Sequence, residues 1–172
     1  MDDVDRLFRT YHATLVRYLT RRLGDRDWAE EVAQETFVRA LRQERLVNER
    51  AWLFAVATNL VRDEARKDIR RRRRLTLLRA EMEEAAEPAV EQSLERAHEA
   101  ALARQALASL AERDRLALLM REEGLGYDEI ASALSLSVGS VGTTLARARR
   151  RLAEAYEAMQ TGRAARSGHA AS

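Results

Sequence analysis

The 172-residue sequence has no cysteine, one proline and seven glycines, and only 5% of it is aromatic. Lacking thiols, it has no disulfides, thiolate zinc sites or cysteine nucleophiles, a composition that suits a reducing cytoplasm. Scarce proline and glycine leave too few turn signals for an all-β fold. No long apolar run is present: the longest, residues 51–57, is about a third of a membrane span. The opening Met1-Asp2-Asp3-Val4-Asp5 is the opposite of a basic secretory leader. The expectation is an all-α, cytoplasmic chain without membrane insertion.

Catalytic signals are equally sparse. His12, His98 and His169 stand in no ligand or triad spacing, and no glycine-rich phosphate loop occurs. No catalytic residue, metal or cofactor is expected, and the chain reads as a binding protein rather than an enzyme.

What is present is charge, at 34% of residues, with a net +2. Among the 30 Lys and Arg only Lys67 is lysine. Arginine is the better residue for phosphate and stacked-base contacts, although GC-rich codon usage gives the same bias.

Apolar residues recur at helical spacing through residues 2–23, with Gly24 placed to end that helix. A second helix follows Asp25 or Asp27, and a polar stretch, 43–49, separates it from a third at about 50–74. Residues 66–74 carry seven positive charges against one negative; residues 80–99 carry seven glutamates against Arg96 and contain Pro88. Charge reversal and a breaker predict two small helical domains, 1–74 and 94–158, joined by an acidic linker at 75–93. The tail, 159–172, is too poor in apolar residues to bury surface and is expected to be disordered.

Residues 127–145 have the pattern of a helix-turn-helix. Ile130 and Ala131 lie on a short helix, Leu136 in a tight turn, and Val141 and Leu145 on a second helix followed by Arg147, Arg149, Arg150 and Arg151. Such a unit places a helix N-terminus in a DNA major groove and arginines on phosphates. An ordinary helical hairpin with a basic face would share part of this pattern. On the third helix, Trp52, Phe54 and Asn59 precede the basic run, a combination suited to single-stranded nucleic acid, though both aromatics also fit a core. On the second helix Glu30, Glu31, Gln34 and Glu35 form an acidic face that would also serve as a solvated surface.

These three segments together resemble the group IV, extracytoplasmic-function sigma factors of the sigma-70 family, over roughly residues 4–156. The stretch 27–40, with its Gln34-Glu35-Thr36-Phe37 core, resembles the helix that docks on the β′ clamp of RNA polymerase. The stretch 51–61 is similar to the family's −10 helix, and 127–152 to its −35 helix-turn-helix.

The resemblance implies a protein that brings core polymerase to promoters and helps open them. Its partners would be the β′ clamp and β subunit, promoter DNA in duplex and single-stranded form, and an anti-sigma factor. It implies polymerase contacts at Asp27, Glu30, Glu31, Gln34 and Glu35. Contacts to the −10 element fall at Trp52, Asn59, Arg62, Asp63, Arg66, Lys67 and Arg70. Those to the −35 element fall at Ser137, Ser140, Thr143, Thr144, Arg147, Arg150 and Arg151.

Two departures stand out: Gly142 and Thr144 replace basic residues of the family's recognition helix, and Ser135 stands where its turn commonly has glycine. They leave two other readings open, a sigma-like decoy for an anti-sigma factor and a conventional helix-turn-helix regulator.

Overall fold

The computed structural model describes residues 2–82 and 91–169, and side chains within 3–65 and 94–168. Among the described residues there are seven helices: α1 (Asp2–Leu23), α2 (Arg26–Ala40), α3 (Glu49–Met82), α4 (Glu91–Ala108), α5 (Glu112–Glu122), α6 (Tyr127–Leu134) and α7 (Val138–His169). No strand occurs among the described residues.

The first turn of the chain is set by two adjacent residues. Gly24 takes the left-handed conformation (φ 70°) and its N–H closes on Thr20 O at 2.8 Å. Asp25 then caps α2, its carboxylate accepting from Trp28 N at 3.0 Å. The reversal lays α2 along α1, and α3 packs against both. Leu15, Leu19, Val32, Ala33, Phe37, Leu53, Phe54 and Ala57 fill the space between them. Tyr18 is fully buried here, and its hydroxyl shares a 2.8 Å hydrogen bond with that of Thr58, so the buried polar groups are satisfied.

In the second half, α5 and α6 pack against α7 around Leu116, Met120, Leu125, Ile130, Val141 and Leu145, while α4 lies along α7. Asp114 is 1% exposed, yet it is charged. Arg147 donates to it through Nε (3.1 Å) and Nη2 (2.6 Å), and Arg151 through Nη1 (3.4 Å). A two-pronged guanidinium bond is the geometry that compensates a carboxylate taken out of water. It ties the start of α5 to the middle of α7.

Two sequence expectations are corrected. The third helix does not stop at 74 but continues to Met82, and α4 begins at Glu91, so helix occupies most of the segment read as a linker. No proline or glycine falls between 49 and 82, and Leu75, Leu77, Leu78 and Ala80 after Arg74 are strong helix formers. Pro88 and residues 83–90 lie outside the described residues. The tail is likewise helical to His169 rather than disordered. It continues a helix whose half-buried stripe, Leu152, Ala155, Tyr156 and Met159, reaches the tail at Met159.

The two halves are packed against each other. Helix α6 lies on α3 and α5 on α1, and one apolar cluster runs through both halves. Ion pairs line this seam: Arg17–Glu123 (3.2 Å), Arg22–Glu112 (3.0 Å), Arg62–Glu112 (3.0 Å) and Arg50–Glu129 (2.5 Å). Every arginine in these pairs belongs to the first half and every glutamate to the second.

Candidate polymerase and promoter interfaces

Helix α2 buries Ala29, Val32, Ala33, Thr36, Phe37 and Ala40. Their 3- and 4-residue spacing turns Glu31, Gln34 and Glu35 outward together, and all three are exposed. Val38 (43% exposed) and Leu41 (58%) extend the same outward face. The sequence pattern places Leu41 on the apolar face with Phe37 and Ala40, whereas it is exposed beyond the end of the helix, and it gives Val38 no role. Asp27 is exposed at the start of the helix. Glu30 is set apart: it is half-buried and bonded to His12 Nε2 at 3.0 Å, while the His12 ring stacks on Phe8 at 4.3 Å. Glu35 is partly engaged by Arg39 Nε at 2.9 Å, an exposed pair of little energetic weight.

The residues expected at the −10 element divide three ways. Trp52 is half-buried and packed on the core. Asn59 and Asp63 are exposed on α3. Arg62 lies between them, giving Nη1 to Asn59 Oδ1 (3.4 Å) and Nε to Glu112 of the other half (3.0 Å). Arg66, Lys67 and Arg70 lie on the α3 backbone, and their side chains are outside the described residues.

The helix-turn-helix is formed by α6, a three-residue turn and α7. Ser135 adopts the left-handed conformation (φ 55°), and Leu136 N closes the turn on Ala131 O at 2.8 Å. The turn therefore uses a glycine-like geometry without glycine. Ser137, Thr143, Arg150 and Arg151 are exposed, as is Arg149, and Ser140 is half-buried with its hydroxyl bonded to Ser137 O (2.8 Å).

Two residues expected at the −35 element are engaged within the fold. Thr144 is 4% exposed, because it lies on the buried α7 stripe with Val141, Leu145 and Ala148. Arg147 is committed to Asp114, with Arg151 more weakly attached to the same carboxylate. Beside Gly142, a Cβ would stand 3.6 Å from the Tyr127 ring, so an aromatic occupies the space flanking the glycine. Arg121 lies over that ring at 5.6 Å.

The electrostatics follow this geometry. The Arg147 guanidinium holds the Asp114 carboxyl below its ordinary value, and Arg50 does the same for Glu129. Burial alone would raise Glu112, but the Arg62 hydrogen bond and the surrounding guanidinium charges outweigh it and lower the carboxyl. Among the described residues no cluster of His, Asp or Glu has the grouping of a metal site. Nor is any helix there long and apolar enough to cross a membrane.

Comparison with known proteins gives matches along most of the chain. Residues 7–74 match the family model of sigma-70 region 2, and residues 100–152 that of sigma-70 region 4. The chain is 31% identical over 155 residues to RNA polymerase sigma factor YlaC of Bacillus subtilis, covering 86% of this chain and 88% of that one. It is 32% identical over 146 residues to the ferric citrate uptake sigma factor FecI of Escherichia coli, covering 83% and 84%. It is 33% identical over 150 residues to the ECF RNA polymerase sigma factor SigL of Mycobacterium tuberculosis, covering 81% and 80%. In fold it is similar to the sigma factor RpoE of Bartonella quintana, solved with the anti-sigma factor NepR. The TM-score is 0.63 at 20% identity, over 91% of this chain and 98% of that one.

Proposed function

The chain belongs to the extracytoplasmic-function sigma factors of the sigma-70 family, and from that membership we propose a division of labour between its two helical halves. As a sigma factor it directs core RNA polymerase to promoters and supports initiation of transcription. Residues 1–74 hold the polymerase and the −10 element, and residues 94–158 hold the −35 element. The bond-making chemistry belongs to the polymerase, not to this chain. Its place of work is the cytoplasm, where the polymerase is.

The observation that best supports the polymerase contact is the outward face of α2, where Glu31, Gln34 and Glu35 stand beside exposed Val38 and Leu41. Carboxylates bordering a small apolar patch suit a partner surface that offers arginines around an apolar groove. Asp27 lies at the edge of that face, and Glu30, turned to His12, has a lesser part.

Promoter contact at −10 rests on Asn59, Arg62 and Asp63, with Trp52 behind them and Arg66, Lys67 and Arg70 further along α3. Because Arg62 is bonded to Glu112 across the seam, the halves separate before this face meets DNA. Contact at −35 rests on Ser137, Ser140, Thr143, Arg150 and Arg151, with Arg149 beside them. An anti-sigma factor would compete for the same surfaces.

The test is binding of the full chain to purified core polymerase, measured for the natural protein and for the Gln34→Ala/Glu35→Ala double variant. The variant binds at least tenfold more weakly with an unchanged melting temperature. Equal affinity would remove α2 as the docking face.

A further inference from the structure

A cleft of about 610 Å³ opens at the seam between the halves, and of the proposed DNA and polymerase contacts Arg62 alone is among the described residues that line it. Arg22 and Arg62 reach it from the first half and Arg115 from the second; Trp28 and Val61 supply apolar wall. Among the described residues Glu112 is the one carboxylate lining it, so their charged groups sum to +2.

The three guanidinium groups are unequally satisfied. Arg22, with a side chain only 5% exposed, gives Nη2 to Glu112 Oε1 (3.0 Å) and Nη1 to Thr58 O (3.3 Å). Arg62 gives Nε to that same Oε1. Arg115 is half-buried, its Nε is enclosed, and it has no hydrogen-bond or ion-pair partner among the described residues. A guanidinium does not escape burial by losing its proton, so an enclosed N–H without an acceptor carries its full desolvation cost. Burial also pushes the Arg22 guanidinium below its ordinary value. Glu64, the nearby acid, already accepts from the Trp28 indole N–H at 2.6 Å.

We propose that this seam cleft is a binding site for a small oligophosphate, pyrophosphate or the polyphosphate arm of a nucleotide, clasped by Arg22 and Arg62 from one half and Arg115 from the other. Arginine forks match phosphate oxygens two at a time, which supplies acceptors for the N–H groups that Glu112 leaves over. The cleft volume exceeds what one phosphate would fill. Since the ligand touches both halves, it binds the closed arrangement and draws the molecule toward it. Resting on the sigma-factor reading, the consequence is that Arg62 is withheld from promoter DNA while the anion is bound.

The experiment is a thermal-denaturation titration of the full chain with inorganic pyrophosphate, at ionic strength held constant with sodium chloride. It compares the natural protein, Arg115→Gln and the exposed control Arg113→Gln. The natural protein and the control rise saturably, by about 5 °C at a hundredfold excess over Kd, and Arg115→Gln does not rise. No rise, or the same rise in all three, overturns the site. Arg115→Lys covers the case in which Arg115→Gln fails to fold: it keeps the charge but loses the fork, and binds at least fivefold more weakly. Undiminished binding by the lysine variant would count against the clasp. The readout needs no polymerase, so its failure is separable from failure of the proposed function.

Discussion

Arg50 of α3 and Glu129 of α6 form a two-bonded fork across the seam, Nε to Oε2 at 2.6 Å and Nη2 to Oε1 at 2.5 Å. The same Glu129 accepts from Gly126 N at 3.1 Å, so one carboxylate both caps the first helix of the helix-turn-helix and anchors it to α3. With the Arg17, Arg22 and Arg62 pairs it makes the seam a contact between an arginine face and a glutamate face.

Such a seam opens with salt. Screening lengths fall from about 10 Å at 0.1 M to 3 Å at 1 M. The absence of cysteine allows a dye pair at Ala13→Cys and Ser132→Cys, both exposed and in different halves. Energy transfer falls as sodium chloride rises, and Glu129→Gln, which keeps the helix cap but loses the charge, shifts the midpoint to lower salt. Transfer that ignores both salt and the substitution would show that the seam is held by apolar contact alone.

Acid opens the seam as well, and the sign follows from the depressed carboxyls. Glu129 titrates below its ordinary 4.5 when folded, so its contribution is complete above that value and is lost as pH falls through the lower, folded one. Asp114, depressed below 3.8, behaves alike inside the second half. Stability is flat in these two groups between pH 5 and 8 and declines beneath pH 4.5. Asp114→Asn lowers stability by about 1–3 kcal/mol at pH 7 and reduces the acid-dependent loss. Denaturant melts at several pH values measure both effects.

Arg147 and Arg150 separate on their roles. Arg150→Ala, at an exposed position, reduces the salt slope of promoter binding by about one and leaves the melting temperature alone. Arg147→Ala strips Asp114 of its two closest donors and lowers the melting temperature first. Fluorescence anisotropy across a salt series, paired with thermal melts, distinguishes them. Identical behaviour of the two variants would contradict the Asp114 tie.

Two substitutions stabilise. Ser135→Gly removes a left-handed non-glycine residue, which costs roughly 1–2 kcal/mol, partly offset by the freedom glycine adds to the unfolded chain. Gly142→Ala gains up to about 1 kcal/mol of helix propensity, and its Cβ would meet the Tyr127 ring at an ordinary 3.6 Å. Both raise the melting temperature; a fall for Gly142→Ala would mean that Tyr127 needs the space.

The first two helices, the start of the third, the left-handed exit at Gly24 and the helix-turn-helix were legible because each is written in local spacing, while the choice of Asp25 over Asp27 as the cap was left open. The burial of Thr144 was not read from the sequence, although it falls on the same helical stripe as Val141 and Leu145. The Arg147–Asp114 tie and the Arg50–Glu129 fork were not legible, since pairs 33 and 79 residues apart leave no periodic trace in the chain. Charge reversal after Arg74 suggested a linker, but helix continuity depends on backbone propensity more than on the sign of side chains, and α3 runs on to Met82.

The most direct measurement is run-off transcription with purified core polymerase, pooled genomic promoter fragments from the source bacterium, and this chain as the added specificity factor. Defined transcripts emerge that share an upstream sequence, require the chain, and weaken in the Gln34→Ala/Glu35→Ala variant. Core polymerase that starts no more selectively with the chain than without it would contradict the account.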